Sequence, residues 1–270
     1  MVKVSGLFIY PVKSCRGLPL DTAAVDAHGL AGDRRFLVVT PEGQFLTQRQ
    51  MPRLALVETG LTADRLTLAS PNHGEITVPL GANTGSRRVT IWRDSVDADD
   101  CGDEAAEWLT RMLGQPLRLV HMGARFHRPV KPSKAQPGDV VTFADAYPFL
   151  IIGEASLAHL NDRIHGAGGD PVPMNRFRPN IVVSGGDAFA EDAWTRFRIA
   201  GVTFRNSGPC ARCVVTTTDQ FTGERGKEPL RTLATFRRDP ADPTDVNFGI
   251  NLIHETKAGT LHLGDPIVAL

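Results

Sequence analysis

The chain has 270 residues, 41% of them hydrophobic, which is enough to bury a core without disulfide or metal staples, as one large domain or two modest ones. Its 30 Lys and Arg balance its 30 Asp and Glu, so no global field draws it to nucleic acid or to an anionic membrane, and any anion site must be local. Four cysteines do not make a disulfide framework in a chain of this size, and a reducing, cytoplasmic location is expected.

The amino terminus has too short an apolar stretch before Pro11 for a signal h-region. The longest apolar run elsewhere, around Phe149 to Ile152, is far below a membrane span. The opening segment reads as short strands, Val2–Tyr10, Ala23–Asp26, Arg35–Thr40 and Gln44–Thr47. They are separated by turn signals at Pro11, Gly17, His28-Gly29, Gly32-Asp33 and Pro41-Glu42-Gly43. Leu54–Glu58, Arg65–Ala69, Glu75–Val78 and Arg88–Ile91 continue the pattern, and many short strands at regular spacing suggest a barrel or sandwich half.

Asp103–Leu113 is expected to be a helix, with Asp103 as N-cap, Glu104 and Glu107 in the first turn, and Ala105, Trp108, Leu109 and Leu113 at helical spacing. Met122 to Asp139, rich in Pro, Gly and Lys, reads as a long loop or interdomain crossing. A second helix is expected over Glu154–Ile164. Asn180–Ser184, Phe197–Ile199, Val202–Asn206, Val214–Thr218 and Pro266–Leu270 read as strands, and Leu230–Phe236 as a short helix behind Pro229. The order is strand-rich without βαβ alternation, so the expected class is α+β built on two β-barrel-like domains, 1–120 and 121–270.

The most chemical stretch is Pro209-Cys210-Ala211-Arg212-Cys213-Val214. A zinc half-site would need two more ligands, which only Cys15 and Cys101 could supply from afar. A thioredoxin-like dithiol belongs at a helix start, whereas these cysteines run into a β-branched series. Two structural thiols are the plainest reading. The fourth is a single thiolate beside cationic side chains, binding a soft transition metal carried by an organic cofactor.

Six ordered blocks resemble the MOSC-domain proteins, in the group that contains the mitochondrial amidoxime reducing component and its bacterial counterparts. They are YPVKSCRG with GDRRF (Tyr10–Gly17, Gly32–Phe36), DCGDEAAEWL (Asp100–Leu109), FLIIGEASLAHLN (Phe149–Asn161), MNRFRPNIVV (Met174–Val183), CARCVVTTTDQFTGE (Cys210–Glu224) and LGDPIVAL. The resemblance implies a MOSC N-terminal domain followed by a MOSC domain, with molybdenum held by Cys213 and not by Cys210. It implies that the molybdenum cofactor (Mo-molybdopterin) is bound through Lys13, Ser14, Arg34, Asn175, Arg176 and Arg178, alongside Ala211 and Arg212. Arg34 and Arg35, if on a strand, should point to opposite faces, so only one is expected at the site.

The implied reaction is a two-electron reduction of an N–O bond in an N-hydroxylated small molecule. Electrons would come from a separate protein, a reductase or a haem or iron–sulfur carrier, since no cysteines follow Cys213 to hold a cluster. The alternative is a protein that binds or carries the cofactor or its sulfur without reductase turnover. MOSC domains also end the molybdenum-cofactor sulfurases, but no lysine-containing pyridoxal-phosphate domain is expected ahead of this one. Thr216, Asp219 and the segment Asn247 to Asn251 are weaker candidates for the pocket, and the eight histidines show no ligand spacing.

Overall fold

A computed structural model of the protein describes residues 1–81, 84–131 and 134–270. Pro132 and Ser133, within the expected crossing segment, lie outside the described residues. The α+β, strand-rich class holds, with three α-helices among the described residues.

The largest element is an eight-stranded sheet. Its order is Ile267–Ala269, Arg196–Ile199, Val202–Ala211, Asn247–His254, Phe149–Gly153, Ile181–Ser184, Lys3–Ile9, Leu18–Leu20. One neighbouring pair, Phe149–Gly153 with Ile181–Ser184, is parallel. A parallel pair needs a crossover, and the helix Glu154–Gly166 provides it. Phe149–Gly153 is buried at every position, as its unbroken apolar run requires. Phe149 and Ile151 pack with Leu7, Ile181, Phe204 and Leu252 on one face, while Leu150 and Ile152 meet Leu160, Ile164, Phe177 and Phe248 on the other. Each such side chain contributes roughly 1.5–3 kcal/mol of burial.

Strand Lys3–Ile9 sits inside this sheet, pairing antiparallel with Ile181–Ser184. Thr22–Asp26 likewise pairs with Gly259–His262. The sheets therefore draw on both sides of the boundary expected between 1–120 and 121–270. The rest of the first half forms a four-stranded sheet, ordered Phe36–Val39, Arg118–His121, Asp94–Asp100, Ser86–Ile91, and a meander of Glu58–Leu61, Arg65–Ser70 and Gly74–Pro79. Helix Asp103–Leu113 closes them, burying Trp108, Leu109 and Met112 against Leu54, Leu66, Leu68 and Leu119.

Several local expectations are corrected. Gly102, not Asp103, caps the first helix, and Asp103 is its first residue, 3.0 Å from Arg118. Gln44–Thr47 makes only isolated bridges, Gln44 to Thr90 and Phe45 to Val39. Asp94–Asp100 is a strand that its four aspartates conceal; Val96 and Ala98 face inward, and buried Asp100 is gripped by Arg118 at 2.6 and 2.7 Å. Val214–Thr217 is a short 3-10 turn and not a strand. There Thr216 Oγ1 donates to the Cys213 carbonyl at 2.9 Å and Thr217 Oγ1 to the Val214 carbonyl at 2.8 Å. Local hydroxyl bonds of this kind outcompete β-ladder pairing. The last helix stops at Leu233 and not Phe236, and the second runs on to Gly166.

His254 is fully buried on the central strand, its Nε2 donating to the Asp26 carbonyl at 2.7 Å. Burial, reinforced by Lys257, lowers its pKa from 6.5 to about 4. The unfolded chain therefore takes up a proton near pH 6.5 that the folded chain refuses until about 4. Unfolding free energy from urea titrations should fall as pH drops through this window, by up to about 1.4 kcal/mol per pH unit. His254→Gln should flatten that part of the profile; an unchanged slope would show that other groups produce it.

Candidate functional site

Strand Val202–Ala211 departs from regular register against Asn247–His254 between Asn206 and Pro209, and again between Pro209 and Ala211. Such irregularities re-aim side chains at the end of a strand. Beyond them, Arg212 N donates to the Val246 carbonyl at 2.8 Å, and Cys213 leads into the 3-10 turn. Cys210, Ala211, Arg212 and Cys213 all line one cavity of about 350 Å³.

Three other segments bring cations to its walls. Lys13 and Ser14 lie in the turn after strand Lys3–Ile9, with Ser14 at φ +70° and its carbonyl accepting from Gln48 Nε2 at 2.7 Å. The Lys13 ammonium is buried and ion-paired to Asp145; burial lowers its pKa to about 8, against the pull of that carboxylate. The Asp145 side chain is half exposed, and the charges of Lys13 and Arg49 beside it hold its carboxyl below the usual carboxylate range.

Arg34 sits in a turn at φ +49°, not on a strand, and donates to Asp33 at 2.6 Å and to Asn180 Oδ1 at 3.2 Å. Arg35 leaves in another direction, with both Asp26 oxygens at 2.7 Å. Of the two, Arg34 lines the cavity and Arg35 does not, and a left-handed turn at Arg34, not strand alternation, separates them.

Arg178, at φ +57°, lies 4.2 Å from the centre of the Tyr10 ring, and Arg34 lies 4.7 Å from it. Burial lowers the Arg178 pKa to about 10 and raises that of Tyr10 to about 12. Arg178 Nη1 reaches Gln220 Oε1 at 3.4 Å, and Nη2 has no hydrogen-bond partner among the described residues. Arg212 donates to Cys210 Sγ at 2.9 Å and to the Phe177 carbonyl at 2.6 Å, leaving its Nε unpartnered.

The cavity thus gathers Lys13, Ser14, Arg34, Arg178, Ala211, Arg212 and Cys213 of the residues singled out from sequence. It does not include Asn175 or Arg176. Arg176 donates to the Thr217 carbonyl and to Asp219, both at 2.9 Å, and so holds the turn after Cys213. Asn175 lines a second, smaller cavity. Thr216 and Asn251 reach the first cavity, whereas Asp219 is committed to Arg176 and to the Phe221 and Thr222 amides.

Sequence reading missed Arg49, Asp145 and Tyr147, which also line the cavity. Trp92, at φ +57°, donates to Asp145 at 3.3 Å and carries Arg49 4.7 Å above its ring. No local pattern marks these residues, because long-range packing alone assembles them.

Lys13, Arg34, Arg49, Arg178 and Arg212 line the cavity with one carboxylate, that of Asp145, which Lys13 and Arg49 contact directly. On a chain with no net charge, this is a local anion seat. No group of three or more His, Cys, Asp or Glu that could hold a metal ion exists among the described residues. Cys15 is fully buried, with its thiol pushed up to about 12 by burial, and Cys101, just before the first helix, belongs to the same hydrophobic cluster as Cys15. Among the described residues, no further ligands join Cys210 and Cys213 to complete a four-ligand zinc site.

Residues 1–116 match the family model described as the MOSC N-terminal beta barrel domain, and residues 138–268 match the MOSC domain. The chain is 37% identical to mitochondrial amidoxime-reducing component 1 of Homo sapiens over 286 residues, spanning 99% of this chain and 82% of that one. It is 38% identical to mitochondrial amidoxime reducing component 2 of Bos taurus, spanning 98% and 82%. With component 1 of Xenopus laevis it shares 36%, spanning 98% and 81%.

Because Lys13 loses its proton near pH 8, inorganic phosphate followed by calorimetry should bind more weakly as pH rises above 8, by up to about tenfold per pH unit. Lys13→Met should weaken binding at neutral pH and remove the step. A flat profile in the unaltered chain would show that Lys13 does not face the anion.

Proposed function

The chain belongs to the MOSC-domain family, among the relatives of the amidoxime-reducing components, and on that premise we propose that it is a molybdenum-cofactor-dependent reductase of N-hydroxylated compounds. The observation that carries this reading is the placement of Cys213 in the same cavity as Lys13, Ser14, Arg34 and Arg178.

The residues present fit the cofactor. The cavity offers soft sulfur but no set of further protein ligands, so a metal held there must bring most of its own ligands. Arg178 is partly buried, and among the described residues it has no ion-pair partner and its enclosed Nη2 is unsatisfied. A guanidinium in that condition is costly until an anion completes it. Cys213 would supply the protein thiolate, while Lys13, Ser14, Arg34 and Arg178 would seat the terminal phosphate. When bound, the cofactor supplies the two-electron reduction of the N–O bond.

The chain's own work is binding, orientation and shielding. Asp33 and Asn180 fix the Arg34 guanidinium, and the Phe177 carbonyl together with Cys210 Sγ fixes that of Arg212. Arg176 and Asp219 lock the turn that follows Cys213. Phe149, Leu150 and Phe177 give the cavity an apolar wall, which limits water around the reacting groups.

Electrons are proposed to come from a separate protein. The compartment is proposed as the cytoplasm on the strength of four unpaired cysteines, although the relatives are named for the mitochondrion. No helix among the described residues is long and apolar enough to cross a membrane.

Protein from a cofactor-competent host should carry about one molybdenum per chain, the ratio for a single thiolate site, and should reduce benzamidoxime with a chemical electron donor. Loss of an outer hydrogen-bond partner at a metal site costs about 10- to 100-fold, so Cys213→Ser should cost more than that, while Cys210→Ser should largely retain turnover. Zinc or no metal would overturn the reading. Molybdenum without turnover would favour a protein that binds or carries the cofactor.

A further inference from the structure

A second cavity, of about 220 Å³, lies beside the first and shares with it one lining residue, Arg178. Its aromatic walls come from Phe8, Tyr10 and Phe221, and Phe221 is 64% exposed at the rim. Gly17 lines it as well; a Cβ there would stand 2.5 Å from the Tyr10 ring, so only glycine leaves that ring in place. The Tyr10 hydroxyl donates to the Pro179 carbonyl at 3.1 Å, which fixes the floor.

The charged groups that line this cavity are of one sign. Arg16 and Arg178 line it and no carboxylate does. Arg16 pairs with Glu58 through Nη1 and reaches the Gln220 carbonyl through Nη2 at 3.4 Å, but its Nε is buried without a partner. Arg178 Nη2 is in the same condition, and so is the acceptor Asn175 Oδ1. Two arginines, with no carboxylate among the lining residues, beside a small aromatic enclosure suit a ligand that brings both an apolar ring and an anionic edge.

We propose that this cavity binds a single-ring aromatic carboxylate, its ring against Phe8, Tyr10 and Phe221 and its carboxylate toward Arg16 and Arg178. Asn175 Oδ1 adds an acceptor for a ring hydroxyl or amino group. The assignment does not depend on which cofactor the first cavity takes, although Arg178 lines both cavities.

The two cavities are also linked. Gln220, a lining residue of the second, exchanges amide hydrogen bonds with Gln48 at 2.9 and 3.0 Å, and Gln48 holds the Ser14 carbonyl in the wall of the first. Arg178 serves both. Occupancy of one cavity should therefore change affinity at the other by a finite factor, the same in both directions.

The test is calorimetric titration of the purified full-length chain with benzoate, with benzamidine as the cationic counterpart of the same shape. Benzoate should bind saturably and benzamidine at least about tenfold more weakly. Phe221→Ala and Arg16→Met, each checked for folding by circular dichroism, should each weaken benzoate by about tenfold. Adding inorganic phosphate should raise the apparent benzoate dissociation constant to a plateau. A rise without limit would mean that benzoate enters the first cavity, and the proposal would fall. Equal binding of benzamidine, or benzoate affinity unchanged in both variants, would overturn it too. Absence of molybdenum from the protein would bear on the proposed reductase and leave this outcome untouched.

Discussion

The antiparallel pairing of Lys3–Ile9 with Ile181–Ser184 joins the beginning of the chain to its second half. The turn carrying Lys13 and Ser14 leaves one end of that pair, and Phe177 to Asn180 leave the adjoining end of its partner strand. The next turn, with Asp33 and Arg34, is tied back to Tyr10: the Tyr10 amide donates to Asp33 Oδ1 at 2.9 Å, and the Arg34 amide donates to the Tyr10 carbonyl at 2.8 Å. Cys213 arrives from the same sheet, two strands beyond Phe149–Gly153. Residues about 200 positions apart in sequence thereby share one cavity, and neither half of the chain holds the set alone.

That arrangement concentrates positive charge where burial makes it expensive. Placing cations together out of water costs several kcal/mol each unless partners compensate. Asp33 compensates Arg34, and Asp145 compensates Lys13 and Arg49. Arg178 has Tyr10 below it and a glutamine oxygen at its edge, with no carboxylate. The imbalance sits beside left-handed backbone at Ser14, Arg34 and Arg178, so uncompensated charge and backbone strain fall at one place.

Much of the fold was legible in the sequence because its signals are local. Helix Asp103–Leu113 announced itself by apolar spacing and by Gly114, and the run Phe149–Ile152 by its unbroken apolar character. Val214–Thr217 misled because β-branched residues favour strands, yet the threonine hydroxyls found nearer carbonyls. Asp94–Asp100 was hidden because its acids are matched by arginines elsewhere in the chain. Of the site, the blocks around Lys13, Arg34, Arg178 and Cys213 were readable as motifs and the structure brings them together. Asn175 and Arg176 share a block with Arg178 but not its direction, while Arg49, Asp145 and Tyr147 belong to no block and join the cavity only through tertiary packing.

Cys210 and Cys213 line the same cavity, two residues apart, and differ in what surrounds them. Cys210 Sγ accepts from Arg212 at 2.9 Å, whereas Cys213 opens the turn that Arg176 and Asp219 hold rigid. The assignment of the metal to Cys213 is tested most directly by molybdenum X-ray absorption on cofactor-loaded protein. Cys213→Ser should show one sulfur neighbour fewer than the unaltered chain, and Cys210→Ser should show the full number. An unchanged sulfur count in Cys213→Ser, or the loss appearing in Cys210→Ser instead, would contradict it.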